Sequence, residues 1–170
     1  MSKKIAWGGI DPGMTGCACL LTSDKIIFHD FNIEVGSDNG ITKENYQAKC
    51  EDKAAAVIDQ WHHGFNVKFL IEKQFDVRKK GFNVSGKLLI NYGFWRGVLS
   101  SFNCNWQGKT AQQWQKVMPG KKQKGEDTKD RVLFYARQFY PAAGGCLALK
   151  KNHNRADALL MAHYIRETDF

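Results

Sequence analysis

The sequence predicts an α/β fold, a mixed five-stranded sheet with helices on both faces. Short apolar segments of strand length come first, separated by turn residues, and they indicate a meander. Strands then alternate with segments whose apolar residues recur every three or four positions, the spacing of amphipathic helices. With 170 residues, of which 43% are hydrophobic and 25% charged, the chain is long enough for a substantial core. We therefore expect residues 1–170 to form a single domain.

The first three predicted strands span residues 4–10, 16–22 and 26–31. The first of them is apolar and ends at Asp11, where a Pro-Gly pair turns the chain because proline cannot continue a central strand. This pattern predicts a three-stranded meander that places Asp11 at one end of the sheet.

The later elements alternate between helix and strand. In chain order they are a helix over 43–63, a strand over 67–71, a helix over 87–102, a strand over 104–108, and helices over 110–118, 127–140 and 154–166. The strand over 67–71 ends at Glu72, and Thr110 is a predicted N-cap because its hydroxyl can accept from a free N–H of the first turn. No regular element is predicted for residues 73–86.

The net charge of +8 is unevenly distributed along the chain. Residues 73–96 hold six basic residues against one acidic, and residues 109–131 hold seven against three. Residues 24–72 are acidic on balance, with nine carboxylates against five lysines. Two basic segments favour a polyanionic partner such as nucleic acid, although charge alone fits a solvated basic surface equally well.

Composition excludes several other classes. No apolar run approaches the roughly 20 residues of a membrane span, and the basic start is followed too soon by glycines and an acid to resemble a signal peptide. The default location is therefore the cytoplasm. The five cysteines include no Cys-x-x-Cys pair, which disfavours disulfides and a structural zinc site.

Three acidic residues lie where strongly apolar elements begin or end. Asp11 and Glu72 each follow a strand, and Asp157 lies in the first turn of the last predicted helix. If the two strands are neighbours, their carboxylates meet at one end of the sheet, and a helix packed beside them can deliver Asp157. Any one of these acids alone would be interpreted as a cap or a surface group, since a helix dipole also favours an acid in the first turn. The interpretation depends on the three together.

Three crowded carboxylates repel one another unless a cation neutralises them. Hard carboxylate oxygens favour Mg²⁺ or Mn²⁺, and two such ions suit phosphodiester hydrolysis by activating a water and stabilising the leaving 3′ oxygen. His153 and Asn154 precede Asp157 by four and three positions, so both share a helix face with it. Either residue is a candidate fourth ligand.

Four segments, in this order, resemble the RuvC resolvase family. Residues 9–16 (GIDPGMTG) resemble its first-strand signature, 70–75 (LIEKQF) its second acidic strand, 110–116 (TAQQWQK) a short helix before its basic loop, and 153–160 (HNRADALL) its C-terminal acidic helix. Residues 92–97 (YGFWRG) and the basic loop over 119–126 are closer to the phage and plastid branch. The resemblance covers nearly the whole chain. It implies an RNase H-like fold and a metal-dependent endodeoxyribonuclease that resolves four-way (Holliday) junctions by symmetric nicking, leaving 5′ phosphate and 3′ hydroxyl ends.

The family's functional positions carry over onto matching residues. Its metal-binding catalytic acids match Asp11, Glu72 and Asp157. Lys129 lies where the family has a catalytic lysine near the scissile phosphate. The family also has an acid three residues before its last one; Asn154 stands at that position here, and His153 is the alternative ligand, shifted by one position.

The resemblance and the charge pattern also assign a DNA-binding set. Phe75 matches an aromatic that wedges into the junction centre, and its alternative is a core phenylalanine. A glycine-containing loop with basic and aromatic residues suits backbone contact combined with stacking. The DNA-binding set comprises Phe75, Arg78, Lys79, Lys80, Phe82, Lys116, Lys121, Lys122 and Lys124. A homodimer is implied, because two symmetric cuts need two active sites related by a two-fold axis.

Three other functions stay open at this point. The run Asp-Pro-Gly-Met-Thr at 11–15 also fits the phosphate loop of ATP-binding proteins of the actin and sugar-kinase type, although 170 residues leave no room for the two domains that those proteins close over a nucleotide. Another nuclease of the same fold would cut flaps, RNA–DNA hybrids or other branched DNA. A non-catalytic nucleic-acid-binding module would share the basic charge but has no need of the ordered acids.

Overall fold

The computed structural model describes residues 3–13, 16–31, 45–74 and 82–168, with the backbone alone described at 82–85 and 87. The strands are β1 (Lys4–Asp11), β2 (Cys17–Leu21), β3 (Ile26–Asp30), β4 (Phe65–Glu72) and β5 (Asn105–Lys109). The α-helices are α1 (Tyr46–Gly64), α2 (Phe82–Ser101), α3 (Ala111–Trp114), α4 (Thr128–Phe139) and α5 (His153–Thr168). Short 3₁₀ helices cover Gln115–Val117, Pro141–Leu147 and Lys150–Asn152.

The five strands form one mixed sheet in the order β3-β2-β1-β4-β5. The meander β1-β2-β3 is antiparallel, whereas β4 and β5 run parallel to β1. In the β1–β4 register Ile10 pairs with Ile71, so the next residues, Asp11 and Glu72, lie at the same edge of the sheet. The predicted adjacency of these two strands is confirmed.

Helices cover both faces of the sheet, as predicted. On one face α3, α4 and α5 enclose a core that includes Leu70. On the other face α1 and α2 pack over a second core that includes Phe69 and Ile71. Because successive side chains of a strand point to opposite faces, β4 contributes to both cores and must be apolar along most of its length.

The predicted element order is confirmed, and several boundaries differ. Helix α2 begins at Phe82 instead of 87, although residues 83–86 include Asn, Ser and Gly, which have low helix propensity. Adding a residue to an existing helix is easier than nucleating one. The helix that forms after residue 87 therefore extends towards its N-terminus through residues of lower helix propensity. The helix predicted over 110–118 is one α-turn followed by a 3₁₀ turn. Strand β5 is shifted by one residue, and α5 runs two residues past the predicted end.

Across the described ranges, α-helices are too short or too polar to cross a bilayer.

Candidate active site

The two acids at the sheet edge are joined by a third from α5. Asp157 lies in the second turn of α5, which begins at His153. This helix packs directly on β1 at Gly9, where an added Cβ would lie 1.9 Å from the carbonyl oxygen of Ala158 and 2.7 Å from the amide nitrogen of Ala162. Only a residue without a side chain allows this approach. Glycine at position 9 therefore brings Asp157 towards the strand that ends at Asp11.

The pKa values show that the three acids share one electrostatic environment. Burial raises the pKa of Asp157 well above its ordinary value, and the charges of Asp11 and Glu72 raise it further. Lys129 acts in the opposite direction and lowers the pKa of Asp157. The structure thus places Asp11, Glu72 and Lys129 within electrostatic reach of Asp157.

Asp11 is held by the turn that follows β1. Burial raises its pKa from 3.8 to about 6, and a hydrogen bond from the Gly13 N–H to Oδ1 (3.0 Å) opposes that rise. The turn closes with a second bond, from the Gly16 N–H to the Gly13 carbonyl (2.9 Å). A Cβ at Gly16 would lie 2.1 Å from the Asp11 carbonyl oxygen, so this position also requires glycine.

Glu72 is oriented by a residue that the sequence analysis did not assign to the site. The indole N–H of Trp114 donates to Oε2 of Glu72 at 2.9 Å, and Gln74 donates to Oε1 at 3.4 Å. Trp114 is fully buried and lies on α3. The available signal was a tryptophan in the TAQQWQK segment, whose indole needs an acceptor when buried.

Helix α3 starts with the predicted cap. The Thr110 hydroxyl accepts from the Gln113 N–H (3.3 Å), and the Gln113 side chain accepts from the Thr110 N–H (2.9 Å). This reciprocal pair satisfies two backbone donors that would otherwise lack partners. The cap fixes the start of the short helix and with it the position of Trp114.

An ion pair also missed by the sequence analysis ties α5 to the sheet. Arg155 Nε donates to both carboxylate oxygens of Asp30, at 2.9 and 3.0 Å, and its Nη2 donates to Oδ2 as well. Asp30 pairs in register with Cys17, which in turn pairs with Asp11. Hydrogen bonding to Arg155 lowers the pKa of Asp30. The pair anchors α5 two residues before Asp157. In the sequence, the only sign of this pair was an acid, Asp30, at the end of a strand.

Both candidates for the fourth ligand lie at the start of α5. The His153 Nδ1 lies 3.2 Å from the Lys150 carbonyl oxygen, and Asn154 follows it in the first turn of α5. Their assignment as ligands stays a prediction.

The side chains at this site can be compared with the ligands that a divalent cation prefers. Among the side chains that the structure describes, no three Cys, His, Asp or Glu residues form a ready-made ion cage. The chemistry of the set nevertheless fits Mg²⁺ or Mn²⁺, because Asp11, Glu72 and Asp157 offer hard oxygens and mutual repulsion that a cation would relieve.

A basic loop lies between α3 and α4. Arg131, 9% exposed, donates to the carbonyls of Pro119 (2.9 Å) and Gly120 (2.8 Å) and pairs with Glu126 (3.2 Å). These contacts fix the loop backbone from beneath. Lys116, Lys121, Lys122 and Lys124 are exposed on and beside this loop. An open groove of about 440 Å³, lined in part by Lys116 and Lys122, runs along it.

The other predicted DNA contacts fall elsewhere. Phe75, Arg78, Lys79 and Lys80 lie outside the described residues. Phe82 begins α2, and its side chain is likewise not described. Their assignment stays a prediction.

The architecture has solved counterparts of the RNase H-like class. A structure of T. thermophilus RuvC in complex with a Holliday junction substrate matches 97% of this chain and 96% of its own, with a TM-score of 0.61 and 15% identity. A second Thermus thermophilus RuvC structure matches 96% of each chain with a TM-score of 0.55 and 17% identity. No family model matches the chain, and no curated protein matches it either. At these identities the likeness establishes the fold, which is RNase H-like.

Proposed function

We propose that this protein is a divalent-metal-dependent endonuclease that resolves four-way DNA junctions. The observation that carries the proposal is geometric: β1 and β4 end side by side at Asp11 and Glu72, and α5 packs against β1 so that both acids act on Asp157. Support for the substrate comes from the solved RuvC of the same fold, whose structure contains a Holliday junction. The YGFWRG segment at 92–97 and the basic loop, which resemble the phage and plastid branch, favour a resolvase of that type.

The acids and the lysine of the site have different chemical roles. Asp11, Glu72 and Asp157 would hold two Mg²⁺ or Mn²⁺ ions, which, when bound, supply an activated water and neutralise charge at the phosphate. Lys129, whose charge already acts on Asp157, stabilises the negative charge that develops on the phosphate oxygens. Hydrolysis on the 3′-oxygen side leaves 5′ phosphate and 3′ hydroxyl ends.

DNA binding is assigned to the basic surface near these acids. The loop held by Arg131 presents Lys121, Lys122 and Lys124 to solvent, with Lys116 along the adjoining groove. Lysines contact phosphates without reading sequence, which suits an enzyme that recognises a branch by its shape. Two protomers related by a two-fold axis would place two such sites on one junction.

A panel of synthetic DNA substrates tests this proposal. In Mg²⁺ or Mn²⁺ the protein should nick a four-way junction at paired positions, and it should leave matched linear duplex largely uncut. Asp157→Asn should abolish nicking while a gel shift still detects junction binding. Preferential cutting of flaps or RNA–DNA hybrids would favour another nuclease of this fold. Metal-independent binding without any cutting would favour a non-catalytic module.

The fourth ligand is tested separately. We propose that His153 supplies it, with Asn154 as the alternative, because both lie in the first turn of α5 ahead of Asp157. His153→Ala should then raise the metal concentration needed for half-maximal nicking more than Asn154→Ala does. The reverse order would transfer the role to Asn154.

A further inference from the structure

The indole of Trp114 forms a hydrogen bond with Glu72, one of the three predicted metal-binding acids. Trp114 is fully buried, and its Nε1–H donates to Oε2 of Glu72 at 2.9 Å. Burial withholds water from this donor, so the carboxylate satisfies it. When Glu72 is ionised, the bond is charge-assisted and stronger than a bond between neutral groups.

The donor is fixed independently of the strand that carries Glu72. Trp114 ends α3, and its own N–H bonds to the Thr110 carbonyl (3.2 Å) at the capped start of that helix. Its ring belongs to the core that α4 and α5 enclose. The indole is therefore a rigid reference point, set by three helices, against which the Glu72 carboxylate is oriented.

We propose that Trp114 is a positioning residue that fixes the Glu72 carboxylate in the orientation needed to bind a divalent cation beside Asp11 and Asp157. This inference rests on the proposed function. The repulsion between Glu72 and Asp157 opposes the approach of their carboxylates, and a donor fixed by the core counteracts it at Oε2 of Glu72. Holding one carboxylate oxygen in place reduces the ordering that cation binding must impose on this side chain.

The chain offers a matched pair of variants for the test. Trp114→Phe retains an aromatic ring and removes the N–H donor. Trp61→Phe makes the same change at a tryptophan that is 3% exposed in the core on the opposite face of the sheet. Both substitutions remove the same atoms from a buried indole, so Trp61→Phe controls for the general cost of that change in a core.

The primary measurement is Mn²⁺ affinity, from the electron paramagnetic resonance signal of free Mn²⁺ during titration of the whole protein. Trp114→Phe should weaken Mn²⁺ binding by ~10-fold or more, the range typical of groups that orient metal ligands. It should also raise the metal concentration for half-maximal junction nicking, with the rate at saturating metal changing much less. Trp61→Phe should bind Mn²⁺ like the wild type. Equal weakening in both variants would overturn the positioning role, whereas absent Mn²⁺ binding by the wild type would overturn the proposed function along with it.

A measurement that keeps Trp114 in place covers the case in which Trp114→Phe does not fold. In ¹⁵N-labelled protein, each indole N–H gives a resonance, and that of Trp114 is assigned by removing the other four tryptophans one at a time. The Trp114 signal should lie downfield, as expected of a charge-assisted bond, and should shift on addition of Mg²⁺. It should also shift in Glu72→Gln, which keeps an oxygen acceptor but removes the charge. A Trp114 signal unmoved by both changes would refute the inference.

Discussion

Replacing Asp11 with asparagine is expected to stabilise the metal-free protein at neutral pH. The carboxylate is buried, and burial raises its pKa from 3.8 to about 6. Between pH 3.8 and about 6, the Asp11 carboxyl is protonated to a greater extent in the folded state than in the unfolded chain. The contribution of Asp11 to stability therefore falls as the pH rises from about 4 to about 6, and it stays unfavourable above that range.

The size of the effect follows from the same pKa values. A rise from 3.8 to about 6 corresponds to roughly 3 kcal/mol at about 1.4 kcal/mol per pKa unit, which sets an upper bound at pH 7. Asparagine removes the charge but keeps an oxygen that can accept the Gly13 N–H, now at 3.0 Å. The expected gain in the free energy of unfolding is therefore about 1–3 kcal/mol, with a rise of roughly 2–4 °C in Tm for each kcal/mol.

Urea denaturation in the presence of a chelator, from pH 4.5 to 7.5, measures this gain. The stability difference between Asp11→Asn and wild type should grow with pH up to about 6 and then level off. Asp24→Asn is the control with the opposite sign, because hydrogen bonds from Thr22 and Ser23 lower the pKa of that exposed acid. Mg²⁺ should stabilise the wild type more than Asp11→Asn. A variant less stable than the wild type at pH 7, or a difference independent of pH, would refute the reasoning.

Three further substitutions test the elements that assemble the site. Gly9→Ala should lower the free energy of unfolding by about 1–3 kcal/mol, because its Cβ would lie 1.9 Å from a carbonyl oxygen of α5. The control is Gly97→Ala, on an open part of α2, which should be neutral or stabilising by up to about 1 kcal/mol. Urea titration measures both variants. Arg155→Lys should cost about 1 kcal/mol, since lysine cannot reproduce the forked contact with Asp30 in this partly exposed pair. Its nicking rate should fall as well, and full activity would argue that the pair does not position α5. Lys129→Ala should lower the single-turnover nicking rate about 100-fold with little change in junction affinity; a loss confined to affinity would make it a DNA-binding residue only.

The sequence was informative where a pattern reflects a single physical cause. Alternation of buried strands and amphipathic helices predicted the mixed sheet, and the Pro-Gly pair after Asp11 predicted the end of β1. Acids that directly follow apolar strands predicted the shared edge, because parallel neighbours end together. The start of α2 was missed, since local propensity over 83–86 did not reveal that the helix extends through it.

The supporting contacts could not be read from spacing. Asp30 and Arg155 are 125 positions apart, and their pairing depends on the strand order and on the packing of α5. The bond between Trp114 and Glu72 depends on how a four-residue helix follows β5. Gly9 likewise shows its role only when α5 lies against it. Each case requires three-dimensional packing that no local pattern encodes.

The most direct test of the site is a crystal structure of the wild type grown or soaked in Mn²⁺, with anomalous scattering used to locate the ion. At least one Mn²⁺ peak should lie at coordination distance from carboxylate oxygens of Asp11, Glu72 and Asp157, and the peak should vanish in Asp157→Asn. A well-ordered crystal in which Mn²⁺ binds elsewhere, or in which the three carboxylates stay apart at saturating Mn²⁺, would contradict the account.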